Sequence, residues 1–164
     1  MDLVQPEYNP VIILEGPDCS GKTTLANQLM AKYRNHVYIH NAVCNDIEGL
    51  HLNALTSAIK LSRNFVVIID RLHLSEQIYG KIFRNKVAYD TKKFENNVNT
   101  YSNIYKVLCL TDKETTLKLH KERKNIEMFD DVSKIWDAYN EVKGWKRYDW
   151  QKDTFDLKEY KACY

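Results

Sequence analysis

Apolar residues fall along this chain in two rhythms, and the rhythms alternate. Val11-Ile12-Ile13-Leu14 and Phe65-Val66-Val67-Ile68-Ile69 are apolar at every position. Short continuous runs of this kind suit strands covered on both faces of a parallel sheet. His36-Val37-Tyr38-Ile39-His40 alternates and is β-branched or aromatic inside, which also predicts a strand. Residues 104–110 give a fourth. Between these runs the apolar positions recur every three or four residues. Leu25, Leu29 and Met30 share one side of a helix expected over 22–34. Ile47, Leu50, Leu55, Ala58 and Ile59 do the same over 46–61. Further helices are expected over 72–84 and 90–98. Another begins at Thr111 or Asp112, with Glu114 in its first turn, and continues to about 123. A last helix over 132–142 carries Trp136 and Tyr139 three residues apart. Pro6 and Pro10 mark an irregular lead-in. The aromatic, charged tail from Gly144 (Trp145, Tyr148, Trp150, Phe155) is expected to add a short strand near 154–157.

Strands alternating with helices predict an α/β fold: three layers, with a mostly parallel central sheet flanked by helices and joined by right-handed crossovers. Ligands of such sheets lie beyond the carboxyl ends of the strands. The 164 residues are expected to form one domain, 1–164. A 44% hydrophobic content suffices for its core, and a net charge of +2 is too mild to argue for a nucleic-acid surface. No apolar run approaches a membrane span and no leader pattern opens the chain, so a cytoplasmic protein without membrane contact is expected.

The chemistry is concentrated after the first strand. Gly16-Pro17-Asp18-Cys19-Ser20-Gly21-Lys22-Thr23 fits the Walker A pattern G-x-x-x-x-G-K-[ST] at every fixed position, between a strand and a helix. That context gives the match its meaning. Backbone N–H groups of the loop converge on a phosphate, and the helix N-terminus adds partial positive charge. Gly16, Asp18, Cys19, Ser20, Gly21, Lys22, Thr23 and Thr24 are therefore the expected ATP-binding residues. Lys22 is suited to the β- and γ-phosphates, and the Thr23 hydroxyl to Mg²⁺. The pattern specifies a P-loop NTPase fold.

A charged pair, Asp70-Arg71, directly follows the third apolar run. Asp70 would sit at a strand's carboxyl end beside the phosphate loop, placed to hold Mg²⁺ or orient an acceptor. Arg71 offers a planar fork of donors suited to a phosphate. The cysteines at 19, 44, 109 and 163 show neither metal-ligand nor disulfide spacing, and the histidines at 36, 40, 51, 73 and 120 have no metal-ligand spacing. Cys19 lies next to a helix N-terminus, where a thiol pKa can fall, but it suits a tolerated small residue at a variable loop position better. His73, in the acceptor segment, suits packing better than substrate contact.

Three segments resemble the thymidylate kinase family of P-loop nucleoside and nucleotide kinases. Leu14-Glu15-Gly16-Pro17-Asp18-Cys19-Ser20-Gly21-Lys22-Thr23-Thr24 is similar to that family's E-G-x-D-x-x-G-K-[ST]-T loop. Asp70-Arg71 with Ser75 and Tyr79 resembles its D-R-Y-x-x-S-x-x-A-Y. The strand Val107-Leu108-Cys109-Leu110, running through Lys121-Glu122-Arg123 to Glu127 and Tyr139, resembles its strand, helix and arginine-bearing lid, here at about 120–131. The resemblance implies that Asp18 contacts the acceptor's sugar, Arg71 its phosphate, and Ser75 and Tyr79 its pocket. It implies that Asp70 serves the Mg²⁺ network, and that Arg123, with Lys121 or Lys124, closes over the ATP phosphates. It also implies a homodimer. The family's R-E-P segment is replaced by His40-Asn41-Ala42-Val43, and Leu72 and Gly80 replace a tyrosine and a glutamine. Compactness and divergence would suit a viral enzyme.

The acceptor follows from the need for a base. A sugar hydroxyl is a weak nucleophile and requires a carboxylate beside it, whereas a nucleotide phosphate is already anionic. The related deoxynucleoside kinases carry that base after the second strand, where this chain has Asn41 and Ala42. The expected reaction is transfer of the ATP γ-phosphoryl group to a deoxynucleoside 5′-monophosphate, thymidylate or a related pyrimidine, with Lys22, Asp70, Arg71 and Arg123 catalytic. A nucleoside or nucleic-acid hydroxyl kinase, with Glu15 or Asp70 as base, is the alternative. A P-loop regulatory ATPase is an alternative of another class.

Overall fold

The first apolar run is the middle strand of the sheet. In the computed structural model, which describes residues 8–123 and 129–160, β1 (Val11–Glu15) lies between β3 (Val66–Asp70) and β4 (Ile104–Cys109). β2 (His36–His40) flanks β3 and β5 (Lys146–Tyr148) flanks β4, giving the order β2-β3-β1-β4-β5 with every pairing parallel. The helices are α1 (Lys22–Lys32), α2 (Ile47–Leu61), α3 (His73–Arg84), α4 (Thr91–Val98), α5 (Lys113–Glu122) and α6 (Phe129–Asn140). This is a three-layer α/β arrangement of the P-loop NTPase kind.

The continuous apolar runs are explained by two cores. Successive strand residues point to opposite faces. Val11, Ile13, Val67, Ile69, Ile104 and Leu108 pack with residues of α2, α3, α4 and α6. Ile12, Leu14, Val66, Ile68, Val107 and Cys109 pack with α1 and with a single 3₁₀ turn, Leu157–Tyr160. Each central strand is thus covered on both sides, and no polar position interrupts β1 before Glu15.

Three helices start at a capping aspartate, of which Asp112 is the one expected from the sequence. Asp46, Asp90 and Asp112 accept the N–H groups of Gly49, Lys93 and Thr115 at 2.9, 3.0 and 2.8 Å. Each satisfies a donor that the first turn leaves unpaired. α1 closes at Lys32, two residues short of expectation, and the last helix runs over Phe129–Asn140 rather than 132–142. Part of the expected lid, with Lys124 and Glu127, lies outside the described residues.

The tail departs from the expectation. The fifth strand is Lys146–Tyr148, not 154–157, and it pairs with Val107–Cys109. Its pattern is hidden because Lys146 and Arg147 are exposed and only Tyr148 is buried. Charged residues suit a strand on the sheet's rim. The apolar Leu157 and Tyr160 turn back onto the α1 face instead.

Candidate active site

The parallel sheet brings four strand ends together. The phosphate loop leaves β1, Asn41 follows β2, Arg71 follows β3, and Leu110 follows β4. Leu14 is in register with Asp70, and Asp70 with His40. Residues far apart in sequence therefore stand side by side at one rim.

The loop is folded tightly around two glycines. Gly16 has φ 146° and a side chain there would meet the Cys109 carbonyl oxygen at 2.1 Å. Gly21 has φ 88° and a Cβ would meet the Trp150 ring at 2.6 Å. Neither position has room for a side chain. Ser20 Oγ donates to the Pro17 carbonyl at 2.7 Å and braces the loop from inside. Lys22 is buried, and its Nζ donates to the Gly16 and Pro17 carbonyls at 2.7 and 2.6 Å. Burial, then the nearby Arg71 charge, pushes its ammonium down to about 8.

A cavity of about 250 Å³ opens over this loop. Asp18, Cys19, Ser20, Gly21, Lys22, Thr23, Thr24, Asp70, Arg71 and Arg123 all line it, so the expected phosphate-loop residues other than Gly16 face one space. Arg123 caps the end of α5 and hydrogen-bonds to Cys19. The Cys19 thiol pKa is raised, so its place beside a helix N-terminus does not activate it. Burial outweighs the lowering charges of Arg123 and Lys22.

Asp70 is 5% exposed. Its Oδ2 accepts a hydrogen bond from the Tyr38 hydroxyl at 2.7 Å and lies 3.3 Å from His40 Nδ1. Its Oδ1 is buried and has no hydrogen-bond partner among the described residues. An orphaned carboxylate oxygen in the same cavity as the Thr23 hydroxyl fits a hard cation. Among the described residues no group of three or more His, Cys, Asp or Glu could hold a metal. This donor set suits Mg²⁺ shared with phosphates and waters rather than held in a protein cage.

A second cavity, of about 380 Å³, adjoins the first. Asp18, His40 and Arg71 line both. Arg71 holds a left-handed backbone, φ 71°, pinned by its N–H on the Leu14 carbonyl and its own carbonyl accepting from Asn41 Nδ2 at 2.7 Å. Its guanidinium pairs with Asp18 and lies over the Tyr79 ring at 5.1 Å. Tyr79 and Ser75 line the cavity as expected. The Ser75 hydroxyl, however, donates to Glu15 Oε2 at 2.5 Å and is also 3.1 Å from the Tyr139 hydroxyl.

Glu15 is not placed as a base. Its buried carboxylate accepts the Leu72 and Ser75 N–H groups at 2.7 and 3.1 Å, capping α3 from the neighbouring strand. His73 lies away from both cavities, buried, and pairs with Glu95. Two groups escaped the sequence reading. Glu76 is buried, pairs with Arg84 and accepts the Ala88 N–H at 2.7 Å on the wall of the second cavity. His40 stands at the junction of the cavities. The only sequence signal for it is its place at the end of a strand.

Comparison with known proteins agrees with this geometry. No protein-family profile and no characterised sequence matches the chain. Solved structures do. The YorR protein of Bacillus subtilis, determined in complex with phosphorylated GDP, is 26% identical, with a TM-score of 0.66 over 85% of this chain and 84% of that one. A thymidylate kinase from Candida albicans shares the fold at 16% identity, with a TM-score of 0.50 over 82% of this chain and 78% of that one. The chain therefore has the P-loop α/β fold that both of these structures share. Among the described residues no helix is long and apolar enough to cross a membrane.

Proposed function

We propose that the protein transfers the γ-phosphoryl group of ATP to a deoxynucleoside 5′-monophosphate, thymidylate or a related pyrimidine. One observation carries the reading. A phosphate-loop cavity and a second cavity of nucleoside size meet at Asp18, His40 and Arg71. A hydrolase needs only the first; a transferase needs both.

In this reading the loop N–H groups and the α1 N-terminus receive the ATP phosphates. Lys22 turns its ammonium from the Gly16 and Pro17 carbonyls to the phosphate oxygens. Thr23 and Asp70 would hold Mg²⁺, which when bound neutralises phosphate charge. Arg71 presents its remaining donors to the acceptor phosphate while Asp18 fixes its orientation and faces the sugar. Tyr79 and Ser75 shape the pocket. Arg123 approaches from α5 and offsets charge on the transferring group. Positioning and charge neutralisation account for most of the rate in such transfers.

The test is coupled ADP release from ATP and Mg²⁺ against a panel of deoxynucleoside 5′-monophosphates. Pyrimidine monophosphates are expected to turn over and purines to lag. ADP release independent of any acceptor would refute the transferase reading.

A further inference from the structure

A third cavity, of about 790 Å³, lies apart from the candidate active site and shares no lining residue with the other two. Its size is that of a small-molecule site. α3, α4 and α6 form its walls, and the segment 141–145 adds Glu141, Val142, Lys143 and Trp145 to the lining.

The interior of this cavity has an apolar surface and one unmet polar group. Leu74, Ile78 and Trp145 are buried and supply the apolar part. His73, also in the lining, has a side chain only 2% exposed and pairs with Glu95. Lys106 holds the same Glu95 carboxylate at 2.6 Å, so that charge is already balanced. Trp145 closes over the group, with its ring 5.9 Å from the His73 ring and 5.4 Å from Lys106 Nζ. His73 Nδ1 is nevertheless buried with no hydrogen-bond partner among the described residues. Buried polar atoms are satisfied as a rule, so an orphan in the wall of a cavity calls for a partner from outside the chain.

The rim is cationic. Lys81 on α3, Lys92 on α4 and Lys143 beyond α6 are exposed and line the cavity. None of the three forms an ion pair among the described residues. A fourth, Lys134 on α6, lies 3.8 Å from Asp131, an exposed pair that contributes little. Glu141 is the one lining carboxylate not already committed to a cation. Three separate elements thus present unbalanced ammonium groups around an apolar hollow. A broad basic face, as nucleic acid or an anionic membrane requires, is not expected from a net charge of +2. A compact ligand suits it: phosphates for the lysines, a flat apolar body for the hollow and a hydrogen-bonding edge for His73.

We propose that this cavity is a second nucleotide site, one that binds a nucleoside triphosphate apart from the phosphate loop. The site goes beyond the transfer reaction proposed above and does not depend on it.

The test starts from the full chain saturated with a non-hydrolysable ATP analogue, Mg²⁺ and thymidine 5′-monophosphate, which fill the two sites of the proposed reaction. Thymidine triphosphate is then titrated by calorimetry. One further equivalent is expected to bind. Lys81→Glu and Lys143→Glu, both at exposed positions, are each expected to weaken it about tenfold or more, as loss of a charged hydrogen bond does. Binding of the ATP analogue should not change in either variant. Tripolyphosphate, which lacks the apolar body, is expected to bind about tenfold more weakly or worse. No further equivalent overturns the proposal. A further equivalent indifferent to both lysine variants puts the ligand elsewhere and overturns it too. Tripolyphosphate binding as tightly as thymidine triphosphate overturns the nucleotide assignment. Molecular mass is measured alongside, and variants that lose a dimer but keep triphosphate affinity make this face a contact between two copies instead. Failure of the monophosphate to bind counts against the transfer reading alone, because the two lysine variants still decide where the triphosphate sits.

Discussion

Glu15 and Ser75 are joined by two hydrogen bonds across sixty positions of sequence: the Ser75 N–H reaches Oε1 at 3.1 Å, and its hydroxyl reaches Oε2 at 2.5 Å. With the Leu72 N–H on the same carboxylate, the strand that leads into the phosphate loop also caps the helix that follows Arg71. α3 has no side-chain cap of its own. Glu15→Ala is therefore expected to lower stability by about 2 kcal/mol, at the upper end of cap deletions, because buried donors are left unpaired. It should weaken acceptor use more than ATP binding. Denaturant unfolding and separate KM values check both, and an unchanged unfolding midpoint would contradict the cap.

Lys22 supplies a pH dependence. Its ammonium is held down to about 8, so the free protein loses that charge as pH rises through about 8. The charged form is the one that binds phosphate. kcat/KM for ATP is expected to be flat below that point and to fall above it. Lys22→Ala should lose about a hundredfold or more at every pH, as other electrostatic stabilisers do. A profile flat to pH 10 would remove Lys22 from the phosphates.

Arg71 separates backbone from side chain. Its left-handed φ of 71° costs about 1 kcal/mol for any residue but glycine. Arg71→Gly and Arg71→Ala should both lose acceptor binding and kcat. The glycine variant should be the more stable by about 1 kcal/mol. The comparison is read by thermal unfolding of the two variants, and equal stabilities would mean that the turn relaxes.

Trp150 is a reporter of the phosphate loop. Its ring lies against Gly21 and is 39% exposed, whereas Trp145 is buried on the far side of the sheet. ATP is expected to change tryptophan emission, and Trp150→Phe to abolish most of that change. Gly21→Ala should block ATP binding through both the ring clash and the φ of 88°. An emission change that survives Trp150→Phe would place the reporter elsewhere.

The far side of the sheet predicts acid lability. Burial raises the Glu95 carboxyl, but bonds from His73 and Lys106 outweigh it and hold the pKa at about 2, against 4.5 when free. A depressed carboxyl stabilises the fold above pH 4.5, and that contribution fades as pH falls from 4.5 to 2. Glu95→Gln should flatten the stability profile in that window while lowering stability at pH 7. An unaltered acid slope would mean that another carboxylate governs it.

Local signals carried most of the fold. The central strands were legible because both faces are covered, and the cap at Asp112 because residue type and position coincide. The phosphate loop was legible as a contiguous motif. What escaped was long-range or disguised. The cap on α3 comes from 57 residues upstream of Leu72, and no local pattern marks it. His40 reaches Asp70 only through strand register, thirty residues away in sequence. β5 is two cations and a tyrosine. The direction of the Cys19 shift depends on burial, which a motif does not report.

Asp18, His40 and Arg71 form a seam common to both cavities, and Asp18 and Arg71 grip each other across it. A change at this seam reaches both halves of the site. A substitution that admits a bulkier acceptor by freeing Arg71 also loosens the phosphate loop through Asp18. On the proposed reading, donor and acceptor preference would be coupled through this pair, and a change on one side would call for a compensating change on the other.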